Sequence, residues 1–546
     1  MSSLLIKNAD AIVTCDSQDA VLEHANLLMQ DGIITYIGIE PQTADEVIDG
    51  TGCLVYPGLI NTHHHLYQTF SRNLPQVQNT ELFDWLTTLY ESWKNLNQDT
   101  IYHSSLTGMG ELLKSGCTTC FDHHYVFPGG NSDALLDAQF SAARELGVRM
   151  YASRGSMDLS KKDGGLPPDS VVQNVDKILK DSQKSVEKYH NPAPNSMEMV
   201  ALAPCSPFSA SEELYRQSAI LARDLGVRLH THLCETIDEE NYVLEKYGKR
   251  PLAYMEDMNW VGNDVWYAHG IHFNDEELNL LAQTGTGVAH CPISNMKLSS
   301  GICRIPDMLK LGVPVGLAVD GSASNDGSNL LEELRVAFLL HRLHSSKLAP
   351  SGYDLLKIAT NGSAKILGRN DIGSLSIGKA GDLFMIRRNR LELVGADLDV
   401  KSMLGTVGFK GTVDYTIVNG KIVVKEGQLT GIDEENVILS LYAKSSSKAK
   451  VITKVNHISY ESVLNNLDVG ALVSPKNITA NSIIAYIRAL ANSGENEVET
   501  MHRILNGKAE ALTFVIREKT KSIGVTLEKL KTKDNLLICL IIRGNQ

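Results

Sequence analysis

The chain has 546 residues, 43% of them apolar, and carries 51 Lys and Arg against 64 Asp and Glu, a formal charge of -13. That length exceeds one ordinary domain and allows a large core; the acidic balance excludes a phosphate-gripping nucleic-acid binder, which needs a basic surface. No apolar run reaches the ~18 residues of a membrane span, Met1-Ser2-Ser3 leads straight into a strand, and nine cysteines lack paired spacing, so a cytoplasmic, thiol-reduced protein without membrane insertion is expected.

In chain order, Ser3–Asp10 alternates as a short strand. A second apolar segment near 54–60 runs into Pro57-Gly58-Leu59-Ile60-Asn61-Thr62-His63-His64-His65. Side chains on a strand alternate faces, so His63 and His65 point one way and His64 the other. Two neutral imidazoles on one face suit a divalent cation at about 2.0–2.1 Å each; a histidine-rich turn without a ligand is the plain alternative. Further strands are predicted near 117–122, 148–153, 199–204, 227–232, 264–269, 287–291 and 314–320, making eight with the first. Amphipathic stretches lie between several of them, such as 212–222 followed by Gly226. Eight such units close into an α/β fold, the (β/α)8 TIM barrel, with reactive residues at the C-terminal ends of its strands. Three of those ends carry metal-competent residues: His230-Thr231-His232-Leu233-Cys234-Glu235, Tyr267-Ala268-His269-Gly270 and Ala318-Val319-Asp320-Gly321. Alternating strands recur over 411–424 and are expected to pair with the N-terminal strand in one β-sandwich.

The order of these segments resembles the amidohydrolase superfamily, in particular its branch of heterocycle deaminases, over about residues 1–435. The resemblance makes His63, His65, His232 and Asp320 the metal ligands, Glu235 the proton shuttle, and His269 the residue that orients the attacking water or leaving group; Asp320 counts with Glu235 and His269 as catalytic. Three nitrogens and one carboxylate independently suit a single Zn or Fe ion that acidifies water. Members with two metals need a lysine at the fourth strand, and the segment Met199–Cys205 offers none. Cys205 is either a soft ligand or an apolar filler. His290 is expected to support the ligands without joining them, and Ser294-Asn295 and Ser324-Asn325 either position ligands or satisfy turns.

For the substrate, Gln68 stands where guanine deaminase-like enzymes place a glutamine on the purine, and its amide both donates and accepts. Ser153-Arg154-Gly155-Ser156-Met157 with Gly164-Gly165-Leu166-Pro167-Pro168-Asp169 resembles the 8-oxoguanine and isoxanthopterin deaminases. That implies hydrolysis of 8-oxoguanine to urate and ammonia, with isoxanthopterin, guanine or chlorohydrolase substrates as alternatives. Arg154 is expected either to neutralise an oxygen on an oxidised ring or to form an ion pair over the barrel mouth. Asp122, His123, His124 and Tyr125 are expected to line the pocket, with His123 on the substrate, and Trp85 either walls it or belongs to the core.

Charge divides unevenly: residues 448–546 carry 14 Lys and Arg against 9 Asp and Glu, the remainder 37 against 55. Ser445-Ser446-Ser447 reads as linker. Beyond it, Val451–Asn456, Gly470–Lys476 and Glu499–Leu512 resemble Trk-type potassium-uptake regulators with RCK domains, although no Gly-X-Gly-X-X-Gly nucleotide cradle is present. The expected organisation is therefore sandwich 1–56, barrel 57–375, sandwich 376–435, linker 436–450, a remnant RCK N-terminal domain 451–495 and a partial α+β RCK C-terminal-like domain 496–546. A small heterocycle is the expected partner, with self-association into a homo-oligomer. A role in potassium transport through the tail is the alternative of a different class, and a vestigial link to a transporter is the weaker form of it.

Overall fold

The computed structural model describes residues 2–130, 132–432 and, in the remainder, 452–454, 471–473, 498–504, 509–514, 524–530 and 538. Five strands open the chain: β1 (Ser3–Val13), β2 (Val21–Gln30), β3 (Ile33–Gly38), β4 (Glu46–Asp49) and β5 (Cys53–Pro57). Their inward residues, among them Leu4, Ile6, Leu27 and Met29, share one core with Leu383, Met385 and Ile417 from the far end of the sequence. At Asn8 the backbone is left-handed (φ 56°), the β1–β2 register slips, and Asn8 N–H donates to Asn26 Oδ1 at 2.9 Å: a bulge that asparagine tolerates well.

The segment expected as one strand over 54–60 is divided at Gly58. β5 stays in this first sheet, and only β6 (Leu59–Asn61) enters the barrel. The cause is steric, since a Cβ on Gly58 would lie 2.2 Å from Thr118 Oγ1, so only glycine lets the two strands cross this closely.

Strands β6, β7 (Cys117–Asp122), β8 (Arg149–Ser156), β9 (Glu198–Pro204), β10 (Leu229–Leu233), β11 (Val265–His269), β12 (Gly287–His290) and β13 (Val315–Leu317) lie side by side in that order, with every neighbouring pair parallel. The ring closes where Thr62 N donates to Leu317 O at 3.2 Å and Asp320 N to His63 O at 3.1 Å. This is the expected (β/α)8 barrel, and Ile60, Phe121, Tyr151, Ala201, Trp266 and Ala289 fill its interior. Several of the connecting helices start on side-chain caps. In Glu212–Leu225, Ser211 accepts from Leu214 N and left-handed Gly226 (φ 69°) ends the helix; such a serine cap contributes about 0.5–2 kcal/mol.

After the barrel, β14 (Leu383–Arg387), β15 (Tyr415–Val418), β16 (Lys421–Lys425) and β17 (Gln428–Leu429) return to the first sheet. The combined order is β17-β16-β15-β14-β5-β1-β2-β3, with β4 on β1, so both flanks build one nine-stranded sheet. A buried ion pair ties this sheet to the N-terminal ends of the barrel strands. Arg149, the first residue of β8, meets Asp382 at 3.0 Å, and both side chains are almost fully buried. Arg149 also donates to Asn195 O at 3.0 Å, while Asp382 accepts from Asn419 N at 2.7 Å.

The chain divides into two units, Met1–Gly431 and Ile432–Gln546. In the second, Ile452–Lys454 pairs in parallel with Ala471–Val473, and Val498–Ile504 pairs antiparallel with Ala509–Phe514. The RCK-like reading of this unit otherwise falls outside the described residues. Among the described residues, no helix is long and apolar enough to cross a membrane.

Candidate active site

The four predicted ligand residues arrive from three strand ends. His63 and His65 follow β6, His232 lies in β10, and Asp320 follows β13. The expected alternation carries past the end of β6: His63 and His65 face the barrel axis, while His64 turns away to Ser328 Oγ at 2.9 Å. His65 Nε2 lies 3.1 Å from His232 Nε2, and Asp320 Oδ1 lies 3.3 Å from Nε2 of both His63 and His65.

Hydrogen bonds behind the rings fix which nitrogens face inward. His65 Nδ1 donates to His123 O at 2.7 Å, and His232 Nδ1 to Cys205 O at 2.6 Å. His63 Nδ1 contacts His230 Nε2 at 2.8 Å, and His269 Nδ1 contacts Asn295 Oδ1 at 2.8 Å. With their N–H groups so engaged, the three Nε2 atoms of His63, His65 and His232 present lone pairs to one another and to a carboxylate. Acceptors that meet at 3.1–3.3 Å with no hydrogen between them repel, and a shared cation removes that repulsion. Two donors bound to one ion at about 2.0–2.1 Å in tetrahedral geometry lie about 3.3–3.4 Å apart, close to the contacts seen, so the residues fit a single divalent metal. Second partners on Nδ1 are also what metal-bound imidazoles use to hold tautomer and orientation.

The acids divide by environment. Asp320 is buried, with its carboxylate facing the imidazoles of His63 and His65. Its Oδ2 accepts from Ser294 Oγ, and from Ser324 Oγ at 3.2 Å. Ser294 and Asn295 thus position ligand and neighbour, the first of the two roles open to them in the sequence. Glu235 is pushed up to about 8, first by burial and then by the nearby Asp320 charge. Its Oε2 lies 3.5 Å from His269 Nε2 and its Oε1 accepts from Ser300 Oγ at 3.4 Å. The carboxylate of Glu239 grips the N–H groups of Cys234 and Glu235 at 2.9 Å each, holding the turn that aims Glu235 inward. Cys234, His269 and Asp320 all have left-handed backbone, with φ of 54°, 71° and 61°. Each costs about 1–3 kcal/mol, and such strain concentrates at functional sites. Alternation counted from inward-facing Trp266 would turn His269 outward; the left-handed residue breaks that alternation.

A cavity opens onto this cluster, lined by His65, His232, Glu235, His269 and Asp320 on its polar side and by Gln68, Leu82, Trp85, Leu86, Tyr125, Cys205, Phe208, Leu298 and Ser324 elsewhere. Trp85 therefore walls the cavity, and its buried Nε1 has no hydrogen-bond partner among the described residues. Among the described residues, no Lys or Arg lines the cavity.

Two expected substrate contacts are not brought there. Tyr151 faces the barrel interior, so alternation sends Arg154, three residues on, to the helix side of β8. There it meets Gln173 Oε1 at 2.7 Å, Asp181 at 3.6 Å and the Phe127 ring at 4.2 Å, which is the ion-pair alternative. His123 does face inward, but beneath the cavity floor: its Nε2 donates to Ala203 O at 2.9 Å and its ring stacks on His232 at 4.8 Å. It brings a further nitrogen into the cluster of His63, His65 and His232, where ligand atoms lie within 4.8 Å of one another. Of its neighbours, Tyr125 reaches the cavity; Asp122 instead accepts from Leu66 N at 2.6 Å and from Gln139 Nε2. His290 contacts His341 Nε2 at 3.1 Å. The sequence reading passed over His230 and Glu239. His230 shares the parity of His232 on β10, and that was the available signal; Glu239 acts from the next helix, four residues beyond Glu235, with no motif to mark it.

The model of the amidohydrolase family matches residues 54–423. The chain is 42% identical to 8-oxoguanine deaminase of Pseudomonas aeruginosa over 451 residues, 82% of this chain and 99% of that protein. It is 41% identical to hydroxydechloroatrazine ethylaminohydrolase of Pseudomonas sp. strain ADP over 450 residues, 80% of this chain and 93% of the relative. Among solved structures, atrazine chlorohydrolase TrzN from Arthrobacter aurescens TC1 complexed with zinc superimposes with a TM-score of 0.76 at 33% identity, covering 81% of this chain and 99% of that one.

Proposed function

The chain belongs to the amidohydrolase family, a hydrolase acting on carbon–nitrogen bonds, and from that premise we propose that it deaminates an uncharged oxidised purine, with 8-oxoguanine converted to urate and ammonia. The observation that carries the reading is the convergence of four acceptors, from His63, His65, His232 and Asp320, beside the buried carboxyl of Glu235. We assign those four to one divalent metal. Zinc is the first choice, because the TrzN structure was obtained with zinc and because three nitrogens and a carboxylate suit it; Fe is the second. When bound, the metal supplies Lewis acidity that lets water act as a nucleophile near neutral pH.

The chain's own residues do the rest. Glu235 takes a proton from the attacking water and delivers it to a ring nitrogen, then carries the remaining hydroxyl proton to the amino group, which leaves as ammonia as the carbonyl forms and the carbon–nitrogen bond breaks. His269, beside Glu235 and fixed by Asn295, orients the attacking water and the leaving amine. Gln68 offers an amide, and Trp85 an unpartnered N–H, to the edge of the ring. With no Lys or Arg among the described lining residues, a phosphate or carboxylate carried on the substrate away from the metal would meet no side-chain cation.

One observation favours a second reading: the apolar wall of Leu82, Leu86, Phe208 and Leu298 suits an N-alkyl substituent, as the ethylaminohydrolase relative would use. The test is amine release by purified protein of known metal content from 8-oxoguanine, isoxanthopterin, guanine and an N-ethylamino hydroxytriazine. Ammonia from 8-oxoguanine at the highest kcat/KM supports the first reading, ethylamine release supports the second, and neither activity with metal present overturns both.

A further inference from the structure

We propose that His230 is a positioning residue: it holds His63 in the one tautomer that can bind a cation. The proposal rests on the metal-ligand reading above. It starts from Trp266, whose carbonyl accepts from His230 Nδ1 at 3.0 Å. The hydrogen on Nδ1 leaves His230 Nε2 with a lone pair, and that nitrogen lies 2.8 Å from His63 Nδ1. His63 Nδ1 must therefore be the donor, which leaves His63 Nε2 with its lone pair facing Asp320 and the other ligands.

The reverse arrangement is excluded by the same contacts. A hydrogen on His230 Nε2 would set its Nδ1 lone pair against the Trp266 carbonyl oxygen and point the hydrogen at His63 Nδ1. His63 would then carry its own hydrogen on Nε2, where it blocks a cation. Neither ring can turn out of the arrangement. His230 is fully buried, stacks on the Trp266 indole at 4.6 Å and meets the Phe121 edge at 4.9 Å. Trp266 also donates from Nε1 to Thr62 O at 3.2 Å, so one residue secures both the His230 ring and the backbone leading into His63.

His63 differs here from the other imidazoles of the site. His65 and His232 lean on peptide carbonyls and His269 on an amide oxygen, all of which act as acceptors whatever happens around them. His63 alone leans on a group with two tautomers, and so needs the second link through Trp266.

The test measures zinc affinity by chelator competition in full-length His230→Gln, His230→Leu and His63→Ala, with near-UV circular dichroism to establish folding. His230→Met supplies the same deletion where the leucine variant does not fold. Partners behind a metal-bound histidine contribute about 10- to 100-fold in affinity, so His230→Leu is expected to weaken zinc by that factor. His230→Gln, which keeps an acceptor near the old Nε2 position, should recover most of it. Unchanged affinity in His230→Leu alongside lost affinity in His63→Ala overturns this proposal alone. Equal weakening in the glutamine and leucine variants also overturns it, because it marks a packing effect. Zinc retained in His63→Ala overturns the ligand reading and this proposal with it.

Discussion

The two ends of the barrel both bury charge, to opposite effect. At the N-terminal ends of the strands, Arg149 and Asp382 face each other with further donors and acceptors around them. At the C-terminal ends, three imidazole lone pairs and the Asp320 carboxylate face one another, and three neighbouring residues have left-handed backbone. A buried pair with its partners in place leaves no charge stranded at the junction between sheet and barrel, whereas an unsatisfied cluster of acceptors calls for a ligand. Fold-supporting and function-supporting polarity therefore occupy opposite ends of one set of strands.

The comparison breaks most visibly if the two ends respond alike to substitution. Asp320→Ala should drop bound metal from about one per chain to near zero and abolish turnover while leaving the fold intact; elemental analysis and amine release check it. Glu235→Gln should keep the metal but lower turnover by ~10²- to 10⁴-fold, and a loss below tenfold would move the proton shuttle elsewhere. At the opposite end, Arg149→Met should cost about 3–5 kcal/mol of stability, because it strands a buried carboxylate, yet leave kcat per folded molecule unchanged. Denaturant melts paired with active-site titration separate the two effects.

Two smaller predictions sharpen the contrast. Burial raises Glu235 to about 8 and Glu239 to about 7. A carboxyl whose folded pKa is raised contributes stability below its unfolded pKa of 4.5 and loses it as pH rises through the folded value. Above about pH 6.5, where histidines of the unfolded chain no longer titrate and the buried ones are already neutral, metal-free protein should therefore melt at lower temperature as pH rises toward 8, with a flatter profile once metal is added. Arg154→Met, outside the cavity, should lower kcat/KM on oxidised and unoxidised rings equally, by less than the Glu235 change; a selective loss on oxidised rings would return Arg154 to the substrate.

Much of this was legible in the residues. Eight apolar segments, the His63–His65 parity and the strand-end positions of His232, His269 and Asp320 led to the barrel and to the side chains that converge in it. Parity was equally available for Arg154, since Tyr151 is a plausible interior residue, but the motif around Ser153–Met157 outweighed it. The break at Gly58 depends on Thr118, 60 residues away, and local sequence carries no sign of that contact. His123 and His230 illustrate the remaining limit: both point inward as alternation requires, and only depth along the barrel decides which ring meets substrate and which supports a ligand.

The central claim is that four acceptors at the barrel mouth hold one divalent cation. X-ray absorption at the zinc edge of the loaded protein tests it most directly. The account predicts three nitrogens at about 2.0–2.1 Å and one carboxylate oxygen at about 2.0–2.2 Å, with a solvent oxygen at most besides. A sulfur at about 2.3 Å, which would bring in Cys205, or a shell of oxygens alone would contradict it.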